Sequence, residues 1–266
     1  MFNLTPVVRN LLIVNIFVFL VGSILKIDLA GIFGVYYVQS PDHELITHPY
    51  SLFTYMFLHS NFNHLFSNML GLLVFGSSLE NVWGSKRFLI YYLLTGLGAG
   101  IIYSIWSFIE LHPLQLGVET YLQSPSYLTF VEFINRYDDN FRLNNYAFLQ
   151  EFKKDPTSAK YISETIDYAN KLFTYPASVP MVGASGAIFG LIIAFGMLFP
   201  NREMFIFPMP FPIKAKVFVF LYGAFEIYSG IQRVPGDNVA HFAHLGGMLV
   251  GFLILRYWSG TRQNFY

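Results

Sequence analysis

Apolar residues run along the chain in six long stretches, 7–25, 62–79, 88–109, 182–199, 213–231 and 240–257. Each approaches the ~20 residues that a helix needs to cross about 30 Å of hydrocarbon. The pattern predicts six transmembrane helices in an all-α, polytopic membrane protein. The second and sixth stretches carry histidine, asparagine or both, which lowers their hydropathy without shortening them. No small-residue cleavage site follows the first stretch, so it is expected to be a retained helix rather than a signal peptide.

Two segments break the pattern. Residues 28–60 are rich in aromatics and interrupted by Pro41 and Pro49, as expected of a loop lying at an interface. Residues 111–178 hold nearly half of the chain's charged side chains and predict a small helical subdomain between the third and fourth spans. Inside it, Asp155 and Pro156 read as a helix N-cap and first helical residue. Tyr161, Ile162, Ile166, Ala169 and Phe173 then recur at helical spacing over about 157–173. That stripe must be buried on its own subdomain, on the core or in the interface. The expected organisation is residues 1–110 with the first three spans, 111–178 as an extracytoplasmic insertion, 179–258 with the last three spans, and 259–266 as a tail.

Composition strengthens the membrane reading. Hydrophobic residues make up 54% of the chain and charged residues 12%, about half the charged share usual in soluble domains. Net charge is zero, so nothing points to nucleic acid as a partner. With no cysteine, disulfides and thiolate metal sites are excluded. Arg9, Lys86, Arg87, Arg202, Lys214, Lys216, Arg256 and Arg262 fall on one side of the six spans, and only Lys26 and Arg233 lie in the short loops of the other. The positive-inside rule then puts both termini in the cytoplasm. The fourth span enters from outside, and Ser185 lies near its outer end.

Polar groups inside a membrane are costly and mark function by default. Three places stand out: "HSNFNHLFSNML" at 59–70, Ser185 within Gly183-Ala184-Ser185-Gly186, and "DNVAHFAHLGGMLVG" at 237–251. A serine nucleophile needs a base within hydrogen-bond reach. His244, Gly247 and Gly251 share one helical face. Gly183, Gly186 and Gly190 form a second glycine stripe beside Ser185, and glycine faces let membrane helices approach closely. Packing the two stripes would bring Ser185 and His244 together. His241 lies one turn earlier with a similar azimuth, and the same spacings fit plain helix packing. Acyl transfer also needs donors for an oxyanion. His64 and Asn68 stand one turn apart on one face, and His59 and Asn63 have the same spacing; the first pair lies deeper in the apolar helix. His241 and His244 could ligate a metal, but neither H-E-x-x-H nor a clearly placed third ligand accompanies them. No metal or cofactor is therefore expected. Glu226, Asp237 and Asn238 read as helix-end and interhelical polar groups.

The three motifs, in this order, resemble those of the rhomboid intramembrane serine proteases. "FTYMFLHSNFNHLFSNMLGLLVFGSSLENVWGSKRFLIYYLLTGLGAG" is similar to the family's second-helix signature and its continuation, "GASGAIFG" to its nucleophile motif, and "AHLGGMLVG" to its base motif. The resemblance covers about residues 5–110 and 178–258. It implies a bacterial-type, six-helix rhomboid bundle in an inner membrane, with transmembrane proteins as substrates and the lipid bilayer as solvent. It implies Ser185 as nucleophile and His244 as base. His64 and Asn68, with the Ser185 N–H, would stabilise the oxyanion. Phe189 would pack on the catalytic imidazole, and Glu80 falls at a structural acidic position. The long segment between the third and fourth helices departs from the family, where that connection is usually short. A catalytically inactive, client-binding relative is the alternative function; the presence of both Ser185 and His244 argues against it.

Overall fold

The structure, a computed structural model, describes residues 4–40, 48–205, 211–232 and 239–261. Pro41, Arg233, Asp237, Asn238 and Arg262 lie outside the described residues. The described chain is helical. In chain order the helices are α1 (Pro6–Leu25), α2 (Leu29–Phe33), α3 (Ser51–Thr54), α4 (Phe62–Gly71), α5 (Ser77–Trp83), α6 (Ser85–Gln123), α7 (Tyr127–Tyr137), α8 (Asp139–Asn144), α9 (Tyr146–Lys154), α10 (Ala159–Ala177), α11 (Ser185–Leu198), α12 (Ala215–Gln232) and α13 (His241–Thr261). A single turn of 3-10 helix, Tyr55–Phe57, follows α3, and a π turn, Leu72–Gly76, joins α4 to α5. Between α11 and α12, two-residue strands β1 (Glu203–Met204) and β2 (Ile213–Lys214) pair antiparallel, Glu203 opposite Lys214.

The chain divides into two units. The first is bounded by Met1–Val35, His48–Ile105 and Pro180–Tyr266, the second by Tyr36–Thr47 and Trp106–Val179. Helices occupy all six predicted apolar stretches. Among the described residues, only α1 and α6 are long and apolar enough to qualify as membrane spans on length and hydropathy alone. α11 is apolar but has 14 residues, about 21 Å of helix. The second stretch runs as one continuous helical segment, with the π turn between α4 and α5. In α1, Ile13, Phe17, Ile24 and Leu25 are exposed, as are Phe220, Phe225 and Ile231 of α12 and Leu249 and Leu253 of α13. Such apolar surface is unfavourable in water and suited to lipid.

The start of α1 depends on a side chain far away in sequence. Pro6 occupies the first turn, where its missing N–H costs nothing. Thr5, at the N-cap, makes no side-chain capping bond. The next two orphan donors, Val7 N–H and Val8 N–H, are instead accepted at 3.0 Å each by the two carboxylate oxygens of Glu80 on α5. Ser85 Oγ donates to the same carboxylate at 2.6 Å. A buried carboxylate is thereby satisfied, and α1 receives an anionic cap at its positive end. Val8, Leu72, Leu79, Phe88 and Leu191 fill the core alongside.

The second unit has its own aromatic core of Tyr121, Phe130, Phe133, Ile134, Phe152, Ala169 and Phe173. Ser126 and Thr129 form a reciprocal capping box that starts α7. Tyr168 of α10 donates to the Asp138 carboxylate, and burial together with that carboxylate raises the Tyr168 pKa. The apolar stripe of α10 is buried within this unit: Ala169 and Phe173 are in its core and Tyr161, Ile162 and Ile166 pack against it. Asp155 is not the cap of this helix. Its N–H closes α9 on Glu151 O, and its side chain accepts from Thr157 Oγ1 in a turn. The N-cap position falls on Ser158. Two helices compete for Asp155, and the preceding one takes it.

Glu80→Ala leaves the Val7 and Val8 donors without their acceptor. A loss of about 1–3 kcal/mol is expected, with Glu80→Gln losing less because one acceptor oxygen remains. Thermal unfolding in detergent measures both. An unchanged midpoint for Glu80→Ala would contradict the capping role.

Candidate active site

Four segments of the first unit converge on Ser185. Met181 pairs with Val35 through two backbone bonds, Val35 N–H to Met181 O at 3.0 Å and Met181 N–H to Val35 O at 2.7 Å. Gly183 N–H donates to Tyr55 O at 2.9 Å. These bonds fix the approach to α11. By spacing Gly183 belongs to the helix-packing stripe, but in the structure it precedes the helix. Its φ of +129° lies where a side chain is strained, and a Cβ there would stand 2.7 Å from His64 Nε2. The turn at Gly183 is tight because the imidazole occupies that space. Ser185 is the first residue of α11, so its N–H and that of Gly186 have no acceptor within the helix.

α13 meets α11 backbone to backbone. A Cβ on Gly247 would lie 1.9 Å from Gly186 O, and one on Gly251 3.2 Å from Gly190 Cα. The stripes Gly186/Gly190 and Gly247/Gly251 therefore face one another. One turn before Gly247, His244 places Nε2 2.9 Å from Ser185 Oγ. Phe189 lies flat on the imidazole, with ring centroids 4.1 Å apart and planes at 10°.

α4 supplies the next groups. Asn61 accepts the His64 N–H at 2.9 Å and caps this helix. Ser60 N–H donates to His64 Nδ1 at 3.4 Å. A backbone N–H can only donate, so Nδ1 is the acceptor and the neutral ring carries its proton on Nε2, beside the Gly183 turn. Asn68 is buried and gives one amide hydrogen to His64 O at 2.8 Å. Of the competing pair, Asn63 is exposed, and His59 packs its ring edge-on to His64 with centroids 5.1 Å apart.

Sequence reasoning missed one constellation. Glu226, read as an interhelical polar group, is 2% exposed. Its Oε2 stands 2.7 Å from His241 Nδ1 and 2.9 Å from His244 Nδ1. A carboxylate thus stands beside these two histidines, contributed by α12. The signal was a lone acid in "VFVFLYGAFEIYSGI", with no cation within a turn. The three donor atoms lie within 4.8 Å of one another, close enough to share a metal ion. Ligand atoms around a tetrahedral zinc stand roughly 3.3 Å apart, given bonds near 2.0 Å. The contacts here, to one shared oxygen, have hydrogen-bond lengths instead.

The comparisons with known proteins agree on one family. A rhomboid domain model matches residues 47–112 and 159–260, passing over most of the second unit. The mitochondrial rhomboid protein 1 of Saccharomyces cerevisiae is 25% identical over 79% of this chain and 42% of its own length. The rhomboid protease AarA of Providencia stuartii is 25% identical over 75% of this chain and 52% of its own. The mitochondrial RHOMBOID-like protein 12 of Arabidopsis thaliana is 24% identical over 81% and 47%. The chain spans about half the length of these relatives. With the family model covering more than half of its residues, and with the three motifs drawn together around Ser185, the chain belongs to the rhomboid family.

Proposed function

We propose that this protein is an intramembrane serine endopeptidase that hydrolyses transmembrane substrates. The 2.9 Å contact between Ser185 Oγ and His244 Nε2 carries the reading. In it, Ser185 Oγ attacks the scissile carbonyl carbon while its proton passes to His244 Nε2. The charge that develops on the carbonyl oxygen is met by the Ser185 N–H, by His64 Nε2–H and by the second amide hydrogen of Asn68. The Nε2 proton then goes to the leaving amine as the C–N bond breaks. Water attacks the resulting ester, its proton again taken by His244, and the acid product departs as Ser185 is restored. Phe189 holds the imidazole in plane through both halves.

A relative named as a protease supports this reading. The rest of the proposal is topological. Six helices cross the membrane, three in residues 1–110 and three in 179–258. Residues 111–178 are an extracytoplasmic insertion, and 259–266 a cytoplasmic tail. Both termini are cytoplasmic, and Ser185 opens to the outer face of a bacterial inner membrane. A helix in lipid keeps its backbone bonds internally satisfied, so a substrate must unwind locally before its carbonyl can be reached. An inactive client-binding protein has no need of a serine–imidazole contact, and no observation favours it.

Ser185→Ala and His244→Ala are each expected to abolish cleavage of a model single-span substrate in proteoliposomes while keeping the wild-type fold. Cleavage near the wild-type rate in Ser185→Ala would remove the nucleophile assignment.

His64→Ala and Asn68→Ala are expected to lower kcat by about 10–10³ each with little change in KM. Asn63→Ala, on the exposed side of the same helix, is expected to stay within about threefold of wild type, the ordinary behaviour of a surface position. Initial rates on folded protein decide this. A larger loss in Asn63→Ala than in Asn68→Ala would move the oxyanion site to the other register.

A further inference from the structure

In the protease reading, the proton passes between two side chains, Ser185 and His244. The structure places a third beside them. Glu226 projects from the middle of α12 into the start of α13, almost fully buried. A central charge in a membrane helix costs about 2.5–3.5 kcal/mol or more unless it finds partners. Here the partners are two imidazoles, both presenting Nδ1 to the same oxygen. A carboxylate oxygen that accepts two N–H groups is well satisfied. Two further contacts fix the geometry. Phe189 stacks on His244, and Tyr222, one turn before Glu226, packs against Phe189 with ring centroids 4.8 Å apart.

The direction of each bond follows from what each atom can do. A carboxylate only accepts, so His244 Nδ1 is the donor and carries the ring proton. The lone pair of the neutral ring is then on Nε2, which faces the Ser185 hydroxyl. This is the one tautomer that can take a proton from Ser185. Without a group at Nδ1, imidazole divides between two tautomers, and one of them presents N–H to the serine and is inert as a base.

We propose that Glu226 is a positioning residue that makes the site a Ser185–His244–Glu226 relay, with His241 as the second donor that holds the shared carboxylate in place. This rests on the protease reading. During attack on the substrate, the Oγ proton moves to His244 Nε2 and the ring becomes an imidazolium paired with the Glu226 carboxylate. Glu226 keeps its negative charge throughout, and the proton leaves with the amine. The carboxylate therefore stabilises the ionised ring formed in the transition state and fixes its neutral tautomer before it. It touches neither substrate nor the reacting carbonyl.

A purely structural Glu226 would act as a clasp between α12 and α13. Glu226→Gln separates the two roles, because it keeps the size and one oxygen acceptor but loses the charge. Its amide N–H₂ can also face Nδ1 and favour the inert tautomer. Cleavage by Glu226→Gln in proteoliposomes is expected to show kcat lowered roughly 10–10³-fold with KM within about twofold. Glu226→Asp, which keeps the charge, is expected to recover part of that loss. A second measurement needs no variant and no substrate. In the wild-type chain labelled with ¹⁵N-histidine, the His244 resonances, assigned by their loss in His244→Gln, should report protonated Nδ1 and unprotonated Nε2. A folded Glu226→Gln protein with wild-type kcat would overturn the relay. So would a wild-type His244 found protonated on Nε2 and bare at Nδ1. Because the tautomer is read without turnover, failure of the protease reading would appear separately, as substrate left uncut by the wild-type protein.

Discussion

A Cβ added to Gly247 would stand 1.9 Å from the carbonyl oxygen of Gly186. No side chain fits between α11 and α13 at that level, and the rest of the site is a consequence. Ordinary helix pairs keep their axes 8–10 Å apart, and glycine faces let them come nearer. Gly186 directly follows Ser185, and Gly247 is one turn after His244. Clamping one glycine onto the other brings the serine and the imidazole to 2.9 Å. Phe189, one turn further along α11, then lies flat on the imidazole face. The positions of Ser185, His244 and the Phe189 ring thus follow from one backbone contact.

Among the described residues of the first unit, the two buried carboxylates are matched with hydrogen-bond donors. Glu80 accepts two backbone N–H groups and a serine hydroxyl, and Glu226 accepts from two imidazoles. Both solutions join separate helices, α5 to α1 and α12 to α13. Desolvating a carboxylate is costly, and removing one partner would leave that cost uncompensated. These two carboxylates therefore brace the helices that they join. Apolar faces of α1, α12 and α13 remain outward, where lipid makes them inexpensive.

The sequence made most of this legible where the relevant spacing is local. Ser185 with Gly186 and Gly190, and His244 with Gly247 and Gly251, lie within two turns of their own helices, so their faces can be read from 3.6-residue periodicity. The choice between His64/Asn68 and His59/Asn63 was harder. Two pairs with identical spacing differ only in depth, and it is Asn61 and Ser60 at the helix start that orient His64. Glu226 was opaque because its partners lie on another helix, and no periodicity links residue 226 to residues 241 and 244. The same holds for Glu80, whose partners lie on α1, more than 70 residues away. Asp155 misled for a different reason. It suits a helix start and a helix end equally by composition, and the end won. By spacing Gly183 fits a helical stripe, but the turn that accommodates the His64 ring holds it outside the helix.

The central claim is that His244 makes Ser185 nucleophilic. The direct measurement treats the purified protein in detergent with a fluorophosphonate, whose phosphorus takes the serine oxygen and releases fluoride. Peptide mass mapping then locates the adduct. The account predicts a single adduct on Ser185 in the wild-type chain and none in a folded His244→Ala variant. An adduct at another residue, or equal labelling of Ser185 without His244, would contradict it.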